Sequence, residues 1–327
     1  MKGEILKLLK ESDGYLSGQE LCERFGVSRT AVWKVINQLK EEGYEIEAIR
    51  NKGYILKSVS DVLSKEELES SLKTRWAGKE IHYFDRTDST NIQARLAGEA
   101  GASHGTLAVA EIQDGGRGRR GRNWISPAGV GVWMSLLLRP EISPVSASML
   151  TLVMALAAQK GIKEATGIES QIKWPNDLAV LDGDTPAKVA GILLEERAGV
   201  LLAGIGINVA WAPPAETLRA GAAMPAKALV SGLEKSQKIF LTAESLWYQL
   251  VNCLFCEYST GGSLKKNWKD LAESFLLWRG SCVCLDDGDE VVEGILTGLC
   301  HDGGLCLSRN GRQEVFYSGS LRLSHHY

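Results

Sequence analysis

The stretch DGGRGRRGRNW, residues 114–124, carries four arginines and four glycines in eleven positions of a chain whose formal net charge is −3. Arginine offers a fixed cationic fork matched to phosphate and carboxylate, and glycine lets backbone N–H groups approach a ligand closely. The stretch follows one apolar segment, GTLAVAEIQ (105–113), and precedes another, VGVWMSLLLRP (130–140), and both read as strands. A loop joining strand to strand has no following helix to lend its dipole, and it lacks the Gly-Lys-Ser/Thr ending of a phosphate-binding P-loop. That placement excludes a P-loop and a regular βαβ series. An anion-handling loop is one reading, and a solvated hairpin tip or a weak nucleic-acid patch is the other.

Working outward, IHYFDRTDSTNIQARLAGEAG (81–101) runs from a strand into a helix that starts at Asp88-Ser89-Thr90. SPVSASMLTLVMALAAQKGIKEATG (143–167) reads as a long buried helix with Pro144 near its first position. Residues 170–211 follow as short strands with turns at Asp182-Gly183-Asp184 and near Ala198-Gly199. The order of elements predicts a mixed, largely antiparallel sheet with helices on one side, so the fold class is α+β. Within it, IKWPNDL places Lys173, Asn176 and Asp177 around a proline-fixed bend. Lys188 sits in an apolar strand, where it either snorkels to solvent or lies against an anion. GIGIN (204–208) strips side chains from a strand, which marks the close approach of a ligand or another backbone. From Leu277 onward, short alternating strands with Gly/Asp turns predict a small SH3-like β-barrel.

The first sixty residues read as three helices and a hairpin, a winged helix-turn-helix. Ser17 caps the second helix, with Glu20 three residues later and Gly26 closing the turn, and Ser28 caps the third. Val32, Val35, Ile36 and Leu39 form that third helix's apolar face. Arg29, Lys34 and Lys40 give it a charge of +3 with no acid between Ser28 and Lys40. A recognition helix in a DNA major groove would use Ser28, Arg29, Thr30, Trp33, Lys34 and Asn37, with the wing Arg50–Lys52 on phosphate. A solvated face of a small helical domain is the alternative.

With 44% apolar residues over 327 positions the chain can bury real cores. No apolar run approaches a membrane span, and the N-terminus lacks the pattern of a signal peptide. Seven cysteines without a secretory signal predict a cytoplasmic protein. Cys253 and Cys256 read as one apolar helix face rather than as zinc ligands. The expected domains are 1–60, 65–275 and 277–327, with a polar linker near 58–66.

The segments DSTN, EIQDGGRGRRGRNW, KWPNDL, KVAGIL and GIGIN, in that order, resemble bacterial biotin–protein ligases. With the winged helix in front, the whole chain is similar to the bifunctional ligase/biotin-operon repressor family. The resemblance implies a class II synthetase-like, SH2-like catalytic sheet. It also implies ATP-dependent formation of biotinyl-5′-adenylate, followed by transfer to a lysine of the biotin carrier domain of acetyl-CoA carboxylase. Ser89, Thr90 and Gln113 would bind the ureido ring, with Asn91 beside them. Backbone groups of Arg117, Gly118 and Arg119 would close over biotin and phosphate as a lid ordered by ligand. Lys188 would hold the carboxylate and α-phosphate oxygens, so Lys188, Arg119 and Asp177 are the candidate catalytic residues. Gly204 and Gly206 would form a flat wall along the biotin tail. Arg122, Trp124, Lys173, Asn176 and Asn208 would meet the nucleotide, and Asp177 would act through Mg²⁺ or on the incoming amine. The family's loop over adenine falls at 211–231, where the only tryptophan is Trp211. Operator DNA and a homodimer are implied partners, and no membrane is. A lipoate–protein ligase and a biotin-sensing transcription factor without catalysis are the rival readings.

Overall fold

The computed structural model describes residues 1–58, 65, 68–69, 72, 76–139, 147–197, 199–217, 224–232 and 268–324. The expected linker, Pro144 and the Cys253/Cys256 pair lie wholly or largely outside these residues. The chain forms two compact units, Met1–Lys73 and Thr74–Tyr327.

The first unit holds α1 (Lys2–Glu11), α2 (Gly18–Phe25), α3 (Arg29–Glu41) and a hairpin of β1 (Glu45–Ile49) and β2 (Gly53–Ser58). The Ser17 hydroxyl accepts from Gln19 N–H, and Gly26, at φ 62°, ends α2 in the left-handed conformation. Ser28 accepts from Ala31 N–H at 3.2 Å and starts α3. Ile5, Leu6, Leu9 and Leu21 pack with the apolar face of α3, and Tyr44 and Ile46 close the core. Gly53, at φ +115°, lies so close to Leu16 O that a Cβ there would collide with it. Next to it, Leu16 N–H donates to Tyr54 O and Tyr54 N–H donates to Leu16 O, which pins the wing to the helices.

The second unit is built on a seven-stranded sheet in the order β3-β4-β5-β9-β8-β7-β6. Its strands are β3 (Ile81–Thr87), β4 (Leu107–Gln113), β5 (Gly131–Leu138), β6 (Gln171–Lys173), β7 (Asp177–Asp182), β8 (Thr185–Arg197) and β9 (Val200–Asn208). Helix α4 (Thr90–Glu99) makes the crossover between β3 and β4, the one parallel pair, and every other neighbouring pair is antiparallel. Ala94 of α4 packs on Ala108, Leu137, Val200 and Leu202. Helix α5 (Ala147–Thr166) packs on β6, β7 and β8. No helix among the described residues is long and apolar enough to cross a membrane.

After α6 (Trp268–Ser274) comes a second sheet, in the order β13-β12-β11-β10-β14. Its strands are β10 (Cys282–Asp286), β11 (Val291–Leu299), β12 (Leu305–Arg309), β13 (Arg312–Phe316) and β14 (Ser320–Leu323), all antiparallel. The sequence predicts a barrel here. The described strands form a five-stranded sheet whose end strands, β13 and β14, do not pair with each other, so no closed barrel forms among them. This sheet is tied to the larger one through the backbone. Ile172 N–H donates to Phe275 O, Leu277 N–H donates to Ile172 O, and buried Trp174 donates its indole N–H to Gly303 O. Glu273 of α6 accepts from Leu299 N–H and pairs with Lys269 and Arg279.

Candidate active site

A cavity of about 800 Å³ opens over β4, β5, β8 and β9, within the size range of small-molecule sites. Every ligand residue expected in this unit lines it: Ser89, Thr90, Asn91, Gln113, Arg117, Gly118, Arg119, Arg122, Trp124, Lys173, Asn176, Asp177, Lys188, Gly204, Gly206 and Asn208.

One end is polar and buried. Ser89, the N-cap of α4, is 2% exposed, and Thr90 and Asn91 are each 4% exposed. Gln113 Oε1 accepts from the Thr90 N–H at 2.8 Å, and Gln113 Nε2 donates to Ser126 Oγ at 2.8 Å. Ser135, fully buried on β5, places its Oγ 2.7 Å from Thr90 Oγ1 and 2.5 Å from Asn91 Oδ1. Asn91 Nδ2 donates to Glu195 Oε2 at 2.8 Å. Ser126, Ser135 and Glu195 were not read from the sequence. The hydroxyl of Ser135 is hidden in the apolar run VGVWMSLLL, and Glu195 joins the group only through the pairing of β8 with β9 and of β9 with β5.

The other end is cationic. A bulge in β8 sets Lys188 and Ala190 opposite consecutive residues, Ala179 and Leu178, and leaves Val189 extra. The extra residue breaks the strand's alternation, so Lys188 points to the same face as Gly191. Lys188 Nζ meets Asp177 Oδ1 at 2.6 Å and lies 5.0 Å from the centre of a Trp124 ring. Its backbone pairs with 225–227, through Lys188 N–H to Pro225 O and Lys227 N–H to Lys188 O. Lys173 is 5% exposed, and burial holds its ammonium below the usual lysine range, opposed by Asp177 and reinforced by Lys188 and Arg122. Burial, with Arg120 next, likewise depresses the Arg119 guanidinium, which makes a long 3.5 Å contact to Asn176 Oδ1. Asn176 is fixed by Nδ2 donating to Ile192 O, beside the cis Trp174–Pro175 bond. Asp177 is the one acid lining the cavity among the described residues, against Arg117, Arg119, Arg122, Lys173 and Lys188. Such a place is suited to an anion.

The arginine–glycine segment folds into one 3-10 turn, Arg119–Gly121, with Arg120 at φ 56°. Gly118 N–H donates to Arg122 O, Trp124 N–H to Gly116 O, and Arg120 Nη2 to Asp287 O of the C-terminal sheet. Trp124 lies against the strands, and its indole N–H is buried without a partner among the described residues, as is Asn208 Oδ1. Gly204 and Gly206 line the cavity, but their missing side chains admit protein groups. A Cβ would strike Asn91 Oδ1 at Gly204 and the Trp124 ring at Gly206. Trp211 does not line the cavity, whereas Pro213, Thr217, Met224 and Ala226 do.

In the first unit, Arg29, Thr30, Trp33 and Lys34 are exposed along α3, with Asn37 half-buried; Trp33 is 56% exposed. Ser28 is exposed but spends its hydroxyl on the cap, and Arg29 donates to Gln19 Oε1 at 3.0 Å. At the wing tip Lys52 lies 5.8 Å from the Tyr15 ring centre.

Residues 83–211 match the Biotin/lipoate A/B protein ligase family, and residues 3–55 match an HTH domain family. The chain is 35% identical to the bifunctional ligase/repressor BirA of Bacillus subtilis, over 99% of this chain and 98% of that one. It is 42% identical to a biotin–[acetyl-CoA-carboxylase] ligase of Paracoccus denitrificans, over 43% of this chain and 59% of that one. Among solved structures it resembles the biotin protein ligase of Aquifex aeolicus in complex with biotin and ATP. That likeness has a TM-score of 0.59 and 30% identity, covering 75% of this chain and all of the other.

Proposed function

This chain belongs to the bifunctional biotin ligase/repressor family, and on that premise we propose how its cavity joins biotin to ATP and passes the biotinyl group to a carrier lysine. A biotin carboxylate oxygen forms a bond to the α-phosphorus, and the bond from that phosphorus to the bridging oxygen breaks, releasing pyrophosphate. The carrier's lysine amine then attacks the acyl carbon, AMP leaves, and the amine loses a proton. Two anions must meet in the first step, so the site needs fixed positive charge rather than a protein nucleophile. The observation that carries the reading is the pairing of a buried polar pocket at Ser89–Asn91 with the cluster Arg119, Arg122, Lys173 and Lys188.

In this reading Lys188 exchanges Asp177 for the reacting carboxylate and phosphate oxygens, with Arg119 beside them. Ser89, Thr90 and Gln113 take the ureido ring, and backbone of Arg117 and Gly118 covers the adenylate. Arg122, Trp124, Lys173, Asn176 and Asn208 face the nucleotide. The turn 119–121 closes as a lid that keeps water from the mixed anhydride. Mg²⁺ is part of the proposal. Among the described residues no three His, Cys, Asp or Glu gather as a metal cage. The Asp177 carboxylate and Asn208 Oδ1, which has no partner among the described residues, suit an ion that arrives on ATP and keeps most of its ligands on phosphate and water. When bound it would neutralise charge on the departing pyrophosphate.

The carrier domain of acetyl-CoA carboxylase is the proposed acceptor, and operator DNA the partner of α3. Homodimerisation through β3 is also proposed. It is the sheet edge with no paired strand among the described residues, whereas Leu276 bridges to β6 at the other edge. Biotin-dependent exchange of pyrophosphate into ATP, followed by transfer to a purified carrier domain, tests the enzymatic half. Exchange supported by lipoate but not biotin would overturn it. A gel shift with and without biotinyl-adenylate, run beside sedimentation, tests the repressor and dimer.

A further inference from the structure

We propose that Glu195 fixes the proton polarity of the biotin pocket, acting through Asn91 and Ser135 on Thr90; the inference rests on biotin being the ligand. A carboxylate can only accept hydrogen bonds. Glu195 Oε2 lies 2.8 Å from the Asn91 amide, so the amide must turn its NH₂ toward it and its oxygen toward Ser135. Ser135 has one proton and two neighbours, Asn91 Oδ1 at 2.5 Å and Thr90 Oγ1 at 2.7 Å. The amide oxygen cannot donate, so the Ser135 proton goes to it. Thr90 Oγ1 must then donate to Ser135, since two hydroxyl oxygens at that separation need a proton between them.

The consequence reaches the ligand. Gln113 Oε1, 3.1 Å from Thr90 Oγ1, is already served by the Thr90 backbone N–H at 2.8 Å. The Thr90 hydroxyl, with its proton spent inward, has only lone pairs left for whatever occupies the cavity. It becomes an obligate acceptor and selects a ligand that presents an N–H. The ureido ring of biotin has two; the dithiolane of lipoate has none. Ser135 is fully buried and Thr90 and Asn91 are 4% exposed, so water is poorly placed to substitute for a missing partner. The fit at Gly204, where a Cβ would strike Asn91 Oδ1, keeps the amide from moving aside. Glu195 and Ser135 are therefore positioning residues that act through Thr90.

The test compares biotin with its two cyclic carbamate analogues, in each of which one ureido N–H is replaced by a ring oxygen of nearly the same size. The full-length wild type, assayed by ligand-dependent pyrophosphate exchange, discriminates against at least one analogue by roughly a hundredfold, as a lost hydrogen bond to a buried group implies. Glu195→Leu removes the acceptor that orients the Asn91 amide and Ser135→Ala removes the acceptor of the Thr90 proton, so in both the Thr90 proton is free to turn outward. The ratio falls by about tenfold or more, KM for biotin rises, and KM for ATP is unchanged. A purely structural defect lowers exchange with biotin and analogues alike and leaves the ratio intact. An unchanged ratio in both variants, each folded by thermal unfolding, overturns the inference. A wild type that performs no biotin-dependent exchange overturns the functional reading and this inference with it.

Discussion

Lys188 Nζ and Asp177 Oδ1 stand 2.6 Å apart on neighbouring strands, with a Trp124 ring centred 5.0 Å from the same nitrogen. Both partners are largely shielded, at 27% and 17% exposure. In the proposed reaction the pair sets a cation where an acyl phosphate develops charge, and the bulged strand gives that cation little latitude. Lys188→Ala is expected to slow biotin-dependent pyrophosphate exchange by about 10²–10³-fold, comparable to loss of one preorganised donor. Lys188→Arg should not restore it, because the fork cannot take the place of a point charge beside Asp177.

Arg119 reaches Asn176 Oδ1 only at 3.5 Å, so little holds it except its own turn. Arg119→Gly is expected to let activated biotin escape, with free biotinyl-adenylate appearing in solution at least about tenfold faster. Chromatographic release of labelled adenylate measures it, and unchanged retention would count against the lid.

Gly206 and Trp124 share one space. Gly206→Ala forces a Cβ into the indole, which must shift or lose its place against the sheet. Overpacking of this kind costs about 1–3 kcal/mol. Thermal unfolding should register that loss, and KM for biotin should rise with it, because Trp124 also lines the cavity.

His104 predicts an acid sensitivity. Its Nδ1 accepts from Arg139 N–H at 2.9 Å, which needs the neutral ring. Burial, with the charge of Arg139 second, holds its pKa below the usual value near 6.5. The unfolded chain therefore binds a proton that the folded chain refuses. Stability falls as pH drops through about 6.5 toward the folded value and levels off below it. Unfolding midpoints at pH 7.5 and 5.5 should differ less in His104→Asn than in wild type.

The exposed face of α3 makes the last prediction. Lys34→Ala should weaken operator binding and reduce the slope of log affinity against log salt by about one, as one lost phosphate contact does. Trp33→Ala should weaken it with little change in slope, through lost apolar contact with bases. Both variants should retain pyrophosphate exchange.

The arginine–glycine loop, the KWPND bend and the winged helix were legible because each is local: a turn, a cap and a charge run lie within one stretch of chain. Ser135, Ser126 and Glu195 were not, because a hydroxyl inside an apolar strand carries no signal until strand pairing sets it against α4. The glycines of GIGIN were read as room for a ligand's tail, and their close approach is to Asn91 and Trp124. Glycine announces a near neighbour without saying whose atoms it will be. The expected SH3-like barrel came from strand spacing, which fixes strand count and turns but not whether the two edge strands meet.

The hydrogen bonds of Ile172 with residues 275–277, and that of Trp174 with Gly303, mean that the tail of the chain serves as scaffolding for the KWPND bend. A shortened enzyme that stopped at residue 275 would keep every motif by which its chemistry is recognised and still be a poor catalyst. Anyone trimming this protein for use as a labelling tool should leave its last fifty residues in place.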